Sequence, residues 1–176
     1  MEQAPVLLLW VAALSRSNTI AKQAGGNAEI HDYLATVDAT LAAQNAAIAA
    51  ESMGLGFVYI GAMRNQSREI EELIGLPDYS YVTFGMVVGK PDLSHLSAIR
   101  PRPNQKVVLH YNNYDTVNSL EALDTYEESF QQFRKEQKMK DKKWKKDVAY
   151  TANSLDYMHE RQNLRITVEE KGFKLK

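Results

Sequence analysis

The sequence predicts a chain of the α+β class, and three observations carry that reading. An apolar run from Ala4 to Leu14 is the right length for a buried strand. The order strand, helix, strand between Phe57 and Val88 implies helices layered on a sheet. Leu120, Leu123, Tyr126, Phe130 and Phe133 recur at three- and four-residue spacing, the mark of an amphipathic helix.

The chain has 176 residues, 44% hydrophobic and 24% charged, with a formal net charge of -1. These values lie in the middle of the globular range and predict one domain over residues 1–176. A chain of this length buries a sizeable core without staples. It contains no Cys, which excludes thiol nucleophiles, zinc-thiolate sites and iron-sulfur clusters and suits a reducing compartment, with the cytoplasm as the expectation. The run from Ala4 to Leu14 is too short to span a bilayer and lacks the charged start of a signal peptide. No membrane association is therefore expected.

After the opening strand, Ser15 to Ile30 is polar and includes Gly25, Gly26 and Asn27, the composition of a surface loop or frayed helix. From Asp32 to Met53 the pattern is helical, with Leu34, Val37, Leu41, Ile48 and Met53 on an alanine-rich background and Gly54 as a left-handed stop. So much alanine lets another backbone come close, either in a central buried helix or beside a subunit interface. Phe57 to Ile60 reads as a short strand. Gly61 to Asn65 follows, and Asn65 or Ser67 can cap a helix through Ile70, Leu73 and Ile74 that Gly75 and Pro77 end. Tyr81 to Val88 is a strand of β-formers with a small Gly85, broken by Gly89-Lys90-Pro91. Asp92 to Asp115 is punctuated by prolines and extended. The lysine-dense stretch Lys135 to Lys146 reads as a mobile loop, followed by helical turns carrying Leu155, Tyr157, Met158 and Leu164.

Conventional catalytic constellations are thin. His31, His95, His110 and His159 are scattered without metal-ligand spacing, and no nucleophile elbow or phosphate loop occurs. They read as surface or structural residues. Two segments carry more. In Arg100-Pro101-Arg102 the proline fixes an extended backbone, so two guanidinium forks project to one side and suit a phosphate monoester; a solvated basic loop is the plain alternative. In Tyr59 to Asn65 a strand runs into a tight turn, where free backbone N–H groups and the missing side chain of Gly61 let a planar ring lie against the chain. An ordinary strand-to-helix turn has the same composition. Nucleic-acid binding through Lys135 to Lys146 is disfavoured, because only Trp144 interleaves the lysines and the rest of the chain offers no basic field.

The run Ala43-Gln44-Asn45-Ala46-Ala47-Ile48-Ala49-Ala50-Glu51-Ser52-Met53-Gly54-Leu55-Gly56-Phe57-Val58-Tyr59-Ile60-Gly61-Ala62-Met63-Arg64-Asn65 closely resembles the stretch AQNxxIAAESLGLGxVYIGGxRN of the nitroreductase A and flavin reductase P branch of the nitroreductase family. Later features keep the family's order: the helix ending Gly75-Leu76-Pro77, the Phe84-Gly85 strand with Gly89-Lys90-Pro91, the Arg-Pro-Arg segment and His110-Tyr111-Asn112-Asn113-Tyr114. The resemblance implies a three-layer α-β-α fold with a mixed, largely antiparallel sheet. It also implies an FMN-dependent oxidoreductase that works as a homodimer, taking hydride from NAD(P)H and passing it through flavin N5 to nitroaromatic, quinone or flavin acceptors.

Carried onto this sequence, the resemblance sets Tyr59, Ile60, Gly61 and Ala62 against the isoalloxazine and Arg100 and Arg102 at the FMN phosphate. Lys135 and Lys140, in a loose alignment anchored on Trp144, fall where the family grips the 2′-phosphate of NADPH. Ala62 stands where the family commonly has Gly. The family's opening His-Arg-Ser-x-Arg segment has no counterpart before Val6, so the expectation is an N-terminally truncated fold with part of the FMN site outside this sequence. The competing reading is a non-catalytic remnant that dimerises through the alanine-rich helix as an interaction protein.

Overall fold

A ten-residue strand, β3 (Ser80–Gly89), is the spine of the sheet, because both neighbours pair with it. The structure is a computed structural model that describes residues 4–26, 32–96, 98–154 and 161–174. β1 (Val6–Ala13) runs antiparallel along one side of β3 and β2 (Gly56–Ile60) antiparallel along the other. The chain divides into two compact units, one of Met1–Asp92 with Met158–Lys176 and one of Leu93–Tyr157.

The register fixes the faces of the first unit's sheet. Trp10 pairs with Phe84 but Val11 with Val82, so Thr83 is an extra residue that forms a bulge. A bulge shifts the side-chain alternation by one position. Tyr81 and Phe84 therefore share a face, with Tyr59 and Met86 beside them. That face lies under α2 (Asp32–Ser52). The Tyr59 hydroxyl donates to the Ala43 carbonyl at 3.3 Å, and the Tyr81 hydroxyl meets that of Thr36. α2 buries Ala35, Ala39, Ala43, Ala47 and Ala50 on its sheet-facing side and packs mainly on β1. Small residues facing large ones bring the two layers close. Leu34, Leu41, Ile48 and Met53 are left exposed. Gly54 ends the helix at φ +71, and the Leu55 N–H returns to the Ala50 carbonyl.

The opposite face of the sheet carries Gly85. A Cβ there would lie 3.0 Å from Met63 Cγ and 3.1 Å from Leu7 Cδ1, so glycine makes room for the turn after β2 to pack on the sheet. That turn is a 3-10 helix (Gly61–Gln66) leading into α3 (Ser67–Leu73), whose buried Glu71 accepts from the Val82 N–H at 3.3 Å and the Ser67 hydroxyl at 2.6 Å. Helical layers on both faces give the α-β-α arrangement. α7 (Leu164–Glu170) closes the unit, and the buried Phe173 meets Tyr81 edge-on at 5.1 Å.

Three local expectations change. Of the loop or frayed helix expected after β1, the structure has a regular helix, α1 (Ser15–Gln23); residues 27–31 lie outside the described residues. Neither Asn65 nor Ser67 caps α3, because Ser67 donates to Glu71 and Asn65 is engaged elsewhere. The lysine-dense stretch is a loop only over residues 137–143, since α6 (Trp144–Asn153) begins inside it. Its reason is tertiary: Glu127 accepts from the Trp144 and Lys145 N–H groups at 3.1 and 2.8 Å, satisfying the orphan donors of the first turn.

In the second unit, α4 (Thr116–Glu121) and α5 (Leu123–Glu136) occupy the amphipathic stretch. Tyr126 and Phe130 are its buried residues, and Trp144 meets Tyr126 edge-on at 5.0 Å. The segment before α4 has two short 3-10 turns (Leu93–His95 and Gln105–Val107) in an otherwise irregular course. Of the later turns, Leu164 opens α7, while Leu155, Tyr157 and Met158 lie outside the described residues, as do His31 and His159.

Candidate functional site

The turn at Gly61 gathers the candidate residues of the first unit. β2 delivers Tyr59 to the α2 face, where its ring also meets Phe57 and Phe84 edge-on, each at 5.5 Å. Ile60 is buried on the other face, opposite Gly85. Ile60 is thus committed to packing while Tyr59 stays 40% exposed, and the turn that follows offers a ligand its backbone. Gly61 and Ala62 begin the 3-10 helix, whose first N–H groups have no partner within the turn. Neither has positive φ, so alanine at position 62 is accommodated without strain.

Gly61 leaves room for a different reason. A Cβ on it would lie 3.1 Å from Arg64 Nη2. Arg64 Nη1 donates to the Thr83 carbonyl, the bulged residue of β3, at 2.7 Å. From the far end of the chain Arg161 reaches the same turn: its Nε and Nη2 donate to Asn65 Oδ1 at 3.1 and 2.9 Å, and Nη2 also lies 3.3 Å from the Gly61 carbonyl. Burial, and then the like charge of Arg161, hold the Arg64 guanidinium below its ordinary value. Two cations at a glycine turn with a bare backbone suit a planar, electron-accepting ring with anionic character, and in that sense the residues fit a flavin. Arg64, Asn65 and Arg161 were not among the cofactor-binding residues expected from sequence. Arg64 and Asn65 sat inside the family run, but Arg161 lies 96 residues from Asn65 and no local pattern marks it.

The second unit holds the other candidates. The Arg100 guanidinium lies over the Phe130 ring at 5.1 Å, and Arg134 over the same ring at 5.6 Å. Arg102 is exposed and makes no side-chain hydrogen bond or ion pair among the described residues. Lys135, in the last turn of α5, lines an open groove of about 490 Å³ with Glu128, Gln131, Arg134, Met139 and Asp141. Lys140 is exposed, and its carbonyl accepts from both Nε and Nη2 of Arg134 at 2.8 and 2.6 Å. The turn carrying the second lysine is therefore held rather than loose.

Residues 1–90 match the Nitroreductase family, and residues 100–176 match the Nitroreductase family C-terminal domain. The chain belongs to the nitroreductase family. It is 37% identical over 133 residues to an NADPH-flavin oxidoreductase from Vibrio harveyi, covering 76% of this chain and 54% of that protein. Among solved structures it is similar to the hypothetical oxidoreductase YcnD from Bacillus subtilis, with a TM-score of 0.88, 29% identity, and coverage of 99% of this chain and 72% of the other. It is also similar to the NADPH:FMN oxidoreductase from Vibrio harveyi complexed with NAD+, with a TM-score of 0.81, 31% identity, and coverage of 98% of this chain and 69% of that one. The chain spans about half the length of the curated relatives it matches. Its nitroreductase fold is the one the sequence run implied.

Proposed function

We propose that this nitroreductase-family chain, taken as one domain, binds FMN at the Gly61 turn and serves an NAD(P)H-dependent oxidoreductase of the nitroreductase or flavin reductase kind. The observation that carries the reading is that turn, where Arg64 lies close against Gly61, 3.1 Å from where a Cβ would be, while Arg161 ties its two ends. The relatives' names, an NADPH-flavin oxidoreductase and an NADPH:FMN oxidoreductase solved with NAD+, support it.

In this reading the backbone from Tyr59 to Ala62 lies along the ring, Arg100 and Arg102 hold the FMN phosphate, and Lys135 and Lys140 meet the 2′-phosphate of NADPH. Bound FMN supplies the two-electron chemistry, accepting hydride from NAD(P)H and passing it to a nitroaromatic, quinone or flavin. The protein's part is to bind, orient and set the charge around the ring. A chain without cysteine suits the reducing cytoplasm, and among the described residues no helix is long and apolar enough to cross a membrane.

The same proposal makes the protein a homodimer through α2. Leu34, Leu41 and Ile48, seven residues apart, are 58, 60 and 56% exposed on the helix side away from the sheet. Such a stripe marks a protein contact. It also favours the second reading, a non-catalytic interaction protein built on the same helix. An absorbance spectrum of the purified chain, followed by anaerobic NADPH titration, separates the two. A flavin band that bleaches on titration is expected; a colourless protein that takes up no added FMN would leave only the interaction role.

A further inference from the structure

Arg64 and Arg161 meet at Gly61, and every hydrogen-bond acceptor described for them is neutral: the carbonyls of Thr83 and Gly61 and the side-chain amide oxygen of Asn65. The contrast with their neighbours is informative. In the same unit Arg68 pairs with Glu170 and Arg165 with Glu169. Those two arginines take carboxylate partners, and among the described residues Arg64 and Arg161 do not. Holding two like charges together, part-buried and with no counter-charge among the described residues, costs stability, and the lowered proton affinity of Arg64 expresses that cost. A purely structural tie between Asn65 and the segment before α7 would need only a neutral donor. The second positive charge calls for another explanation.

The geometry of Arg161 supplies part of it. One nitrogen, Nη2, reaches the carbonyl at the start of the 3-10 turn and the Asn65 oxygen near its end, so the guanidinium braces the turn across its length. The brace fixes the direction of the backbone N–H groups between them. The charge supplies the rest. Reduction adds electron density to an isoalloxazine, so cations fixed beside it stabilise the reduced ring more than the oxidised one, and most strongly where water is excluded.

We propose that Arg64 and Arg161 form a paired cationic seat at the Gly61 turn that raises the reduction potential of the bound flavin, with Arg161 also acting as the positioning residue of the turn through Asn65. This inference rests on the reading that the turn seats FMN. Nothing in the local sequence of either arginine announces the pair; it exists because the 3-10 turn and the segment before α7 converge in one unit.

The test measures the midpoint potential of the FMN-loaded full chain by spectroelectrochemistry, with the affinity for oxidised FMN read separately by flavin fluorescence. Arg161→Gln removes the charge. It should weaken binding of reduced relative to oxidised flavin about tenfold, lowering the two-electron potential by about 30 mV. Arg161→Lys keeps the charge and loses the fork, and should recover most of that shift. Asn65→Asp keeps the acceptor that Arg161 grips and adds a negative charge at the turn. It should lower the potential in the same direction, and because it strengthens the brace its fold does not depend on the survival of Arg161→Gln. If both Arg161→Gln and Asn65→Asp hold FMN at the wild-type potential, the seat is overturned. A wild-type chain that binds no FMN overturns the underlying reading instead, and the seat with it.

Discussion

Tyr59 hangs from Ala43: its hydroxyl donates to the Ala43 carbonyl across 3.3 Å, joining the strand that ends in the Gly61 turn to the alanine face of α2. The bulky residues of the helix are consequently turned outward. Leu41→Glu is expected to convert the proposed homodimer to a monomer, since a buried unpaired carboxylate at an interface is strongly disfavoured. Folding of the monomer should change by no more than about 0.5 kcal/mol, because the residue is exposed within the chain. Light scattering reads the outcome. A wild-type mass equal to one chain at micromolar concentration would sink the dimer, and an unchanged dimeric mass in Leu41→Glu would move the interface off α2.

Gly172 has φ +93, and a Cβ on it would lie 2.6 Å from Tyr79 Cε1. Tyr79 cannot readily withdraw, since its own N–H donates to the Lys171 carbonyl at 2.7 Å. Backbone strain of roughly 1–3 kcal/mol and overpacking of similar size add at this site. Gly172→Ala should therefore cost about 2–6 kcal/mol by urea unfolding. Gly25→Ala is the comparison, with φ +78 but open space around it, and should cost only about 1 kcal/mol. Equal losses in the two variants would mean that the tyrosine contact contributes nothing.

Glu127 supplies a pH dependence whose sign is fixed by its surroundings. Burial pushes its carboxyl up, but the Lys145 N–H, the Gln131 amide, the Trp144 N–H and the Lys145 charge together hold it below the ordinary carboxylate value. A depressed carboxyl contributes stability above its unfolded value and loses it as pH falls through the folded one. Thermal stability of the wild type should thus fall more steeply on acidification below about pH 4.5 than that of Glu127→Gln, which keeps an acceptor for the start of α6 but cannot titrate. Parallel melting curves across that range would show that the cap carries no charge effect.

The local grammar of α2 and its neighbours was legible because it is written in adjacent residues: an alanine run, Gly54 as the stop, then a strand of β-formers ending at Gly61. The facing of α2 was not. Leucines at positions 34 and 41 look like core residues in any helical pattern, and only the sheet lying under α2, built from three separate strands, shows that alanine is its inner surface. α6 was hidden for a related reason. Its start draws on Glu127 and Tyr126 of another helix, and lysine-rich composition alone reads as loop. Arg161 was invisible because its partners are Gly61 and Asn65, far earlier in the chain.

Arg102→Ala is expected to weaken FMN binding by about 1.5 kcal/mol, the low end for a charge-assisted hydrogen bond, because the residue is exposed and solvent-screened. Arg100→Ala should show a second effect. Its guanidinium packs over Phe130 at 5.1 Å, so truncation removes ring contact as well as charge and should lower the melting temperature of the FMN-free protein. Titration of FMN into each variant separates the two roles. Unchanged affinity in both would remove the phosphate assignment.

Lys140 offers a test of nucleotide choice that its backbone makes clean. The Arg134 fork grips the Lys140 carbonyl, not its side chain, so Lys140→Ala keeps the turn after α5 in place and deletes only the ammonium. A lysine is a point charge without a planar fork, and its contribution to a 2′-phosphate is a screened attraction rather than a bidentate bond. Lys140→Ala should accordingly raise the KM for NADPH severalfold and leave that for NADH nearly unchanged, with the gap shrinking as salt rises from low to physiological concentration. Arg134→Ala frees the turn while leaving both lysines in the chain, and should weaken NADPH binding in the same direction by spreading the Lys140 ammonium over more positions. Equal changes for NADPH and NADH in Lys140→Ala would return the lysines to the role of a solvated surface.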